Sequence, residues 1–368
     1  MVRVRISAVA AAILALVACT PQTPPAGSEG SSVQKAAALT DPKAIVEAAA
    51  DPCLSAKGLF LTSLCGHPEL KDLTAQVKTT LIGEGGAVDL DGARTLSDGQ
   101  QGWIAATRNY CAIDDSAGVL NAEQVGCVKA ALSLRVKEAS RIIEEQGGFT
   151  FQRVEMNEAS KPVVGAAGDG APGSDLPVTK EVDFPRINAA TPQALAFNTL
   201  MRNAVAQLRP PSGEDASQTS EAIDYEIAFA GPDLVSVAFI SNQTTPGAMH
   251  SESASRVVNV VMATGRELTP GDVFAAPETR WQAALVARAS QGLRRQLRDL
   301  RGVELSQDDI RDTITKPHNW RITERALVLV FPPNSVGPST LGVMQVEAPW
   351  KDLKPLLKPD APAPIRQS

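Results

Sequence analysis

The chain has 368 residues, 41 of them acidic against 35 basic, and a formal net charge of −6 at pH 7. A mildly acidic chain without a Lys/Arg cluster interleaved with aromatics is not built to bind nucleic acid. The length suggests about two domains, and beyond the N-terminal leader no segment is apolar enough to span a bilayer.

Arg3 and Arg5 precede an apolar run, Ile6 to Ala18, that is shorter than the ~20 residues a helix needs to cross a bilayer. That is the build of a cleaved signal peptide. Leu16-Val17-Ala18-Cys19 resembles the bacterial lipobox, which implies that Cys19 is lipidated and that the mature protein works outside the cytoplasm, held to a membrane by its lipid. Thr20 follows where an Asp would signal inner-membrane retention, and by resemblance to Gram-negative sorting this favours the outer membrane, facing the periplasm. Residues 1–18 are therefore expected to be a leader. Residues 19–35, rich in Pro, Gly, Ser and Thr, are expected to be a disordered tether.

An all-α domain is expected over residues 36–150. His67-Pro68-Glu69 opens a helix whose Leu70, Leu73, Val77 and Leu81 share one face. Ser97-Asp98 is expected to cap the next helix, which carries Trp103 and Ile104. Asn121 with Gln124 has the spacing of a capping box, and Val125, Val128, Leu132, Val136 and Ile143 keep helical spacing to about Gln146. Apart from Cys19, the cysteines are Cys53, Cys65, Cys111 and Cys127. An even number in one exported region implies two disulfides. Three pairings are possible, and Cys53–Cys65 with Cys111–Cys127 is favoured because local loops staple neighbouring elements. The pairs lack C-x-x-C spacing and the chain has only three His, so zinc is not expected.

Residues 151–178 end in a Gly/Ala/Pro/Asp mixture and are expected to be a linker, although Phe149 to Glu155 alternates like a strand. An α+β domain with a mainly antiparallel sheet is expected over 179–360, followed by a tail at 361–368. Strands are expected at Ala222–Phe229, Leu234–Ile240, Arg256–Met262, Ala326–Phe331 and Val343–Ala348. Helices are expected at Pro192–Leu208, Arg280–Leu300 and Trp350–Leu357. Strand runs with helices beside them, without β-α alternation, point to this class.

Catalytic signatures are absent: no G-x-S-x-G elbow, H-E-x-x-H, P-loop or G-x-G-x-x-G follows the required elements. His67, beside Pro at a helix start, reads as a capping residue, and His318 as structural. No cofactor is implied, and an enzyme is not expected; a cell-wall hydrolase is the minor alternative. Arg288, Arg294, Arg295, Arg298 and Arg301 make one helix strongly basic. Such a face is ordinarily solvated and paired with acids such as Asp299 and Glu304; contact with anionic lipid or peptidoglycan is the functional reading.

Two stretches resemble known families. Cys53, Cys65-Gly66-His67-Pro68-Glu69-Leu70, Trp103, Arg108-Asn109, Cys111 and Cys127 resemble the LprI-type lysozyme-inhibitor domain. Here the Trp103-to-Arg108 gap is one residue longer than the family's, and the Tyr usual after the second Cys is missing. Tyr225, Gly247-Ala248-Met249-His250, and Asn259 to Leu268 followed by Asp272-Val273-Phe274 resemble the C-terminal domain of RsiV-type proteins, as do Ala326–Phe331 and Val343–Ala348. Met249 interrupts that family's G-G-A-H turn. RsiV-type proteins bind lysozyme outside the cell. Together the resemblances imply an envelope lipoprotein that binds lysozyme or a related muramidase, as inhibitor or sensor. Trp103, Arg108, Gly247, Ala248 and His250 are the candidate contacts. The competing expectation is a structural or sensing lipoprotein that binds peptidoglycan or another protein.

Overall fold

The computed structural model describes residues 40–54, 56–161, 177–210, 218–245, 251–298 and 304–367. Cys19, the leader, the tether, and the turn residues Gly247, Ala248 and His250 lie outside them. Five helices come first: α1 (Pro42–Ala50), α2 (Gly58–Gly66), α3 (Lys71–Gly85), α4 (Leu90–Tyr110) and α5 (Ala122–Ala139). Each start has a chemical cause. Asp41 caps α1 by accepting from the Lys43 amide, with Pro42 at the first helical position, where a missing N–H costs nothing. Asn121 and Gln124 exchange hydrogen bonds at 2.9 and 3.1 Å, the expected capping box of α5. The cap of α4 is Asp89, which accepts from the Gly92 amide at 2.7 Å. Ser97 and Asp98, expected as the cap, lie inside the helix, because Asp89 offers a carboxylate to the orphan amides two turns earlier.

Leu70, Val77 and Leu81 are fully buried, as their spacing requires, with Val46, Phe60, Leu64, Leu96, Val128 and Leu132 in the same core. Each such side chain contributes roughly 1.5–3 kcal/mol on leaving water. Disulfides join Cys53 to Cys65 and Cys111 to Cys127, each with Cα atoms 5.8 Å apart.

The chain then forms a seven-stranded sheet in simple sequence order: β1 (Ile143–Gln146), β2 (Phe149–Ala159), β3 (Thr179–Ile187), β4 (Ser220–Ala230), β5 (Leu234–Thr244), β6 (Glu252–Val261) and β7 (Arg266–Glu267). All neighbours are antiparallel except β3 and β4, whose parallel pairing is reached over α6 (Pro192–Leu208). Two boundaries differ from expectation. α5 ends at Ala139 and the chain turns into β1, so Ile143 and Gln146 are strand residues. Residues 151–159, expected in a linker, are most of β2 and pair with β3 from Phe151↔Ile187 to Ala159↔Thr179. Apolar spacing carried the helical period past the turn, but Gly147 and Gly148, both at positive φ, mark a tight hairpin.

Alternation along β5 buries both faces of the sheet. Val235, Val237 and Phe239 pack with Phe197, Met201 and Val205 of α6. Leu234 points into a third core, and the Ser236 hydroxyl accepts from the Ile322 amide at 3.1 Å. That core belongs to a second antiparallel sheet, β8 (Trp320–Ile322), β9 (Ala326–Phe331) and β10 (Met344–Pro349), in the order β10-β9-β8. It is packed by α7 (Glu278–Gln296) and α8 (Gln307–Ile314). Phe274 stacks on Trp281 at 4.8 Å, and Trp320 meets both edge-on. Residues 361–367, expected as a tail, are anchored here: Ala361 and Ile365 are fully buried. The helical N-terminal part and the mostly antiparallel sheet region match the expected class. Among the described residues, no helix is long and apolar enough to cross a membrane.

Candidate functional site

The helical part lies directly on the sheet. α4 crosses β2 at two glycines: a Cβ on Gly99 or Gly102 would stand 3.1 Å from the carbonyl oxygen of Glu155 or Asn157. The contact is stitched by polar side chains along the helix. At its start, Arg186 of β3, almost fully buried, donates to Gln152 at 2.8 Å and to both oxygens of Asp89 at 3.1 and 3.2 Å. At its end, Asn109 donates to the Ala159 carbonyl at 2.8 Å. Between them, Arg135 of α5 is 1% exposed and donates to Glu155 at 2.7 Å and to Gln100 at 3.1 Å. Its guanidinium also sits 5.8 Å from the Trp103 ring centre, within cation–π range.

Beside that ladder opens a cleft of about 510 Å³, walled by α4 and α5 on one side and by β2 and β3 on the other. Trp103, Thr107 and Tyr110 come from α4, and Cys127, Ala131 and Leu134 from α5. Tyr110 and Leu134 are more than half exposed, an apolar rim where water reaches it. The opposite wall is charged: Glu155 and Glu158 of β2 and Glu181 and Asp183 of β3 line it beside Arg153, and Glu138 of α5 faces them.

Glu155 and Asp183 are directly opposite one another across β2 and β3, an arrangement that destabilises a sheet when both carry charge. Each is answered from a different direction, Glu155 by Arg135 and Asp183 by Arg153 at 2.5 Å. Arg153 also reaches Asp224 at 3.1 Å and lies over the Tyr225 ring at 5.4 Å. Burial raises the Asp183 pKa from 3.8 to about 6; Arg153 pulls it down, while Glu155 and Asp224 push it up. Burial likewise raises Glu138, with Arg135 opposing and Glu155 and Glu181 adding to the rise. Tyr225 is pushed up, chiefly by burial. Burial works against the charge on Arg153, but Asp183 and Asp224 hold its pKa above the usual arginine value. The cleft therefore has an excess of carboxylates, and on two of them, Asp183 and Glu138, burial makes the charge costly in the free protein. A cation entering it relieves that cost.

The sequence candidates fall in different places. Trp103 is in the cleft wall, beneath Arg135, and Cys127 brings one disulfide into the same wall. Arg108 points elsewhere and pairs with Asp115 at 3.1 Å, whose other oxygen accepts from the Phe60 amide; it fastens α4 to α2. His67 accepts from the Glu69 amide at 3.3 Å, as a turn-capping residue does. Glu138, Arg153, Glu155, Glu181 and Asp183 were not singled out from sequence. The available signal was Glu181-Val182-Asp183-Phe184, acid alternating with apolar, which in a covered sheet leaves carboxylates facing another layer. Among the described residues no group of three or more His, Cys, Asp or Glu is arranged to hold a metal ion.

Compared with known proteins, the chain matches no family model and no curated relative. Among solved structures it is similar to a DUF3298 family protein from Pseudomonas aeruginosa PAO1, at 14% sequence identity and a TM-score of 0.41, covering 58% of this chain and 96% of that one. It is also similar to a DUF3298 family member from Bacteroides fragilis NCTC 9343, at 12% identity and a TM-score of 0.37, with the same two coverages.

Proposed function

We propose that this protein is a lipid-anchored cell-envelope protein that captures lysozyme or a related muramidase, as an inhibitor or a sensor, with the acidic cleft as its principal contact. The observation that carries the reading is the cleft itself: five carboxylates and an apolar rim at the seam between the two parts of the chain. Lysozymes of the c type are typically basic, so a lysine or arginine of the partner supplies the missing cation while its methylenes pack on Tyr110 and Leu134. A stable complex of this kind buries about 1,200–2,000 Å² in all, so the cleft is an anchor point within a larger contact. The lipobox-like end of the leader and the two lysozyme-associated resemblances support the same reading. Lipid attachment is checked separately: Cys19→Ser is expected to release the protein from the membrane fraction.

The test is calorimetric titration of the whole oxidised protein with c-, g- and i-type lysozymes at low and physiological salt, beside a cell-wall lysis assay. Binding is expected to weaken as salt rises and the Debye length shrinks to about 8 Å. Glu181→Lys, an exposed charge reversal in the cleft, is expected to weaken it at least tenfold. Absence of binding to every lysozyme type overturns the proposal. A second reading, capture of a cationic group on a peptidoglycan fragment, is favoured by the cleft volume, which lies within the roughly 300–1,000 Å³ of small-ligand sites. Retention on purified peptidoglycan without lysozyme affinity would select it.

A further inference from the structure

The arginine-rich end of α7 has no part in the cleft. This helix buries Trp281, Leu285, Ala289 and Leu293 in the third core. Its other side forms, with α8, an open groove of about 670 Å³. Arg294, Arg295, Arg298 and Arg311 line one end, and Ala283 and Ala287 the other.

The charges in this groove are not balanced. Arg311 pairs with Asp308 at 2.8 Å. Arg288, outside the groove lining, donates to the Glu347 carbonyl at 2.8 Å and lies 3.9 Å from Asp352. Arg298 has an interaction of its own. Arg294 and Arg295, both exposed, have no acidic partner among the described residues. A second observation points the same way. Ser290 lines the groove and is 8% exposed, and its hydroxyl oxygen is buried without a hydrogen-bond partner. A buried hydroxyl ordinarily finds a partner. The start of α8, with Gln307 in the lining, adds no anion affinity, because Ser306 caps it and Asp308 and Asp309 in its first turn answer the helix dipole.

We propose that this groove is a second binding site, one that takes a phosphate group carried on a larger envelope molecule. Arg294 and Arg295 supply forked, charge-assisted donors, which suit phosphate oxygens, and Ser290 supplies a neutral one. The small side chains of Ala283 and Ala287 leave room for whatever bears the phosphate. The chain as a whole carries a net charge of −6 and repels polyanions, so binding requires this local site and is not a bulk electrostatic effect.

Two probes test it on the full chain: glycerol phosphate by calorimetric titration, and sedimentation with phosphatidylglycerol vesicles against phosphatidylcholine vesicles. The comparison is always with R294Q/R295Q, S290A and R280Q in the same chain, so any contribution of the leader or a lipid cancels. R294Q/R295Q is expected to lose about tenfold or more in affinity for the anionic probe, S290A several-fold, and R280Q, on the same helix outside the groove, nothing. Binding to anionic vesicles alone supports the site and assigns it to a membrane headgroup; binding to glycerol phosphate as well supports it and assigns it to phosphate in general. The proposal is overturned if neither probe prefers the unmodified protein over R294Q/R295Q. It is equally overturned if R280Q loses as much as R294Q/R295Q. Lysozyme affinity should be the same in all four proteins, which separates this site from the cleft.

Discussion

Replacing Glu155 by leucine strands a buried cation. Arg135 is 1% exposed, and its shortest contact is the Glu155 carboxylate at 2.7 Å. Without it the guanidinium keeps only Gln100 at 3.1 Å and the partly exposed Glu138 at 3.7 Å. Breaking a buried pair by removing one partner costs about 3–5 kcal/mol, and the surviving Glu138 places this case near the lower end. Arg135 already carries one buried nitrogen without a partner, so the pair is not a large net source of stability. The double variant Arg135→Met, Glu155→Leu should therefore lie within about 1 kcal/mol of the parent, as replaced buried pairs often do. The assay is urea unfolding of the whole oxidised protein, followed by tryptophan fluorescence, since Trp103 lies beneath the guanidinium. Equal m-values confirm that one transition is being compared. A Glu155→Leu loss below about 1 kcal/mol, or a double variant as unstable as the two single losses added together, would refute the reasoning.

Three further outcomes are expected. Asp183 holds its proton more tightly when folded, with a pKa raised from 3.8 to about 6. Its contribution to stability is thus full below about pH 4 and is lost as pH rises through 6, on the order of 3 kcal/mol. Asp183→Asn should flatten that limb of the pH–stability curve, and an unchanged slope between pH 4 and 6.5 contradicts the assignment. Cys111→Ser with Cys127→Ser removes a bridge of sequence separation 16 and should cost roughly 3 kcal/mol on the chain-entropy model; an unchanged denaturation midpoint argues against it. Gly102→Leu drives a side chain toward the Asn157 carbonyl and should lift α4 from β2. Partner affinity is then lost while far-ultraviolet circular dichroism still reports helix, and retained affinity shows that the seam does not shape the cleft.

Much of the local structure is readable from the chain. The Asn121/Gln124 box, the Leu70–Leu81 face, the strands around Leu234 and Ala326, and the short-range cysteine pairing all depend on neighbours within a few turns. The cleft was not readable, because its makers are far apart in sequence: Arg135 meets Glu155 twenty positions on, and Arg186 meets Asp89 ninety-seven positions back. Nothing near Arg135 distinguishes it from a solvated helix arginine until β2 arrives. Trp103 shows the reverse case: an aromatic on a helix face reads as core or as contact, and it is both a wall of the cleft and a rest for the buried guanidinium.

The pairing of β2 with β3 has a consequence for how this chain can be cut or recombined. A junction at residue 150 looks like a natural seam, since helices precede it and most strands follow. It would divide β2 from its hairpin partner β1, and it would take Gln152, Arg186 and Glu155 away from the helix they fasten. A C-terminal piece starting near 176 would present β3, nine residues long, as a bare edge, the kind of template on which sheets join edge to edge. A helical piece ending at 150 would carry Arg135 with no Glu155 to meet it. Neither half is a transferable cassette, and a chimaera grafted at that point should precipitate or unfold instead of working as two modules.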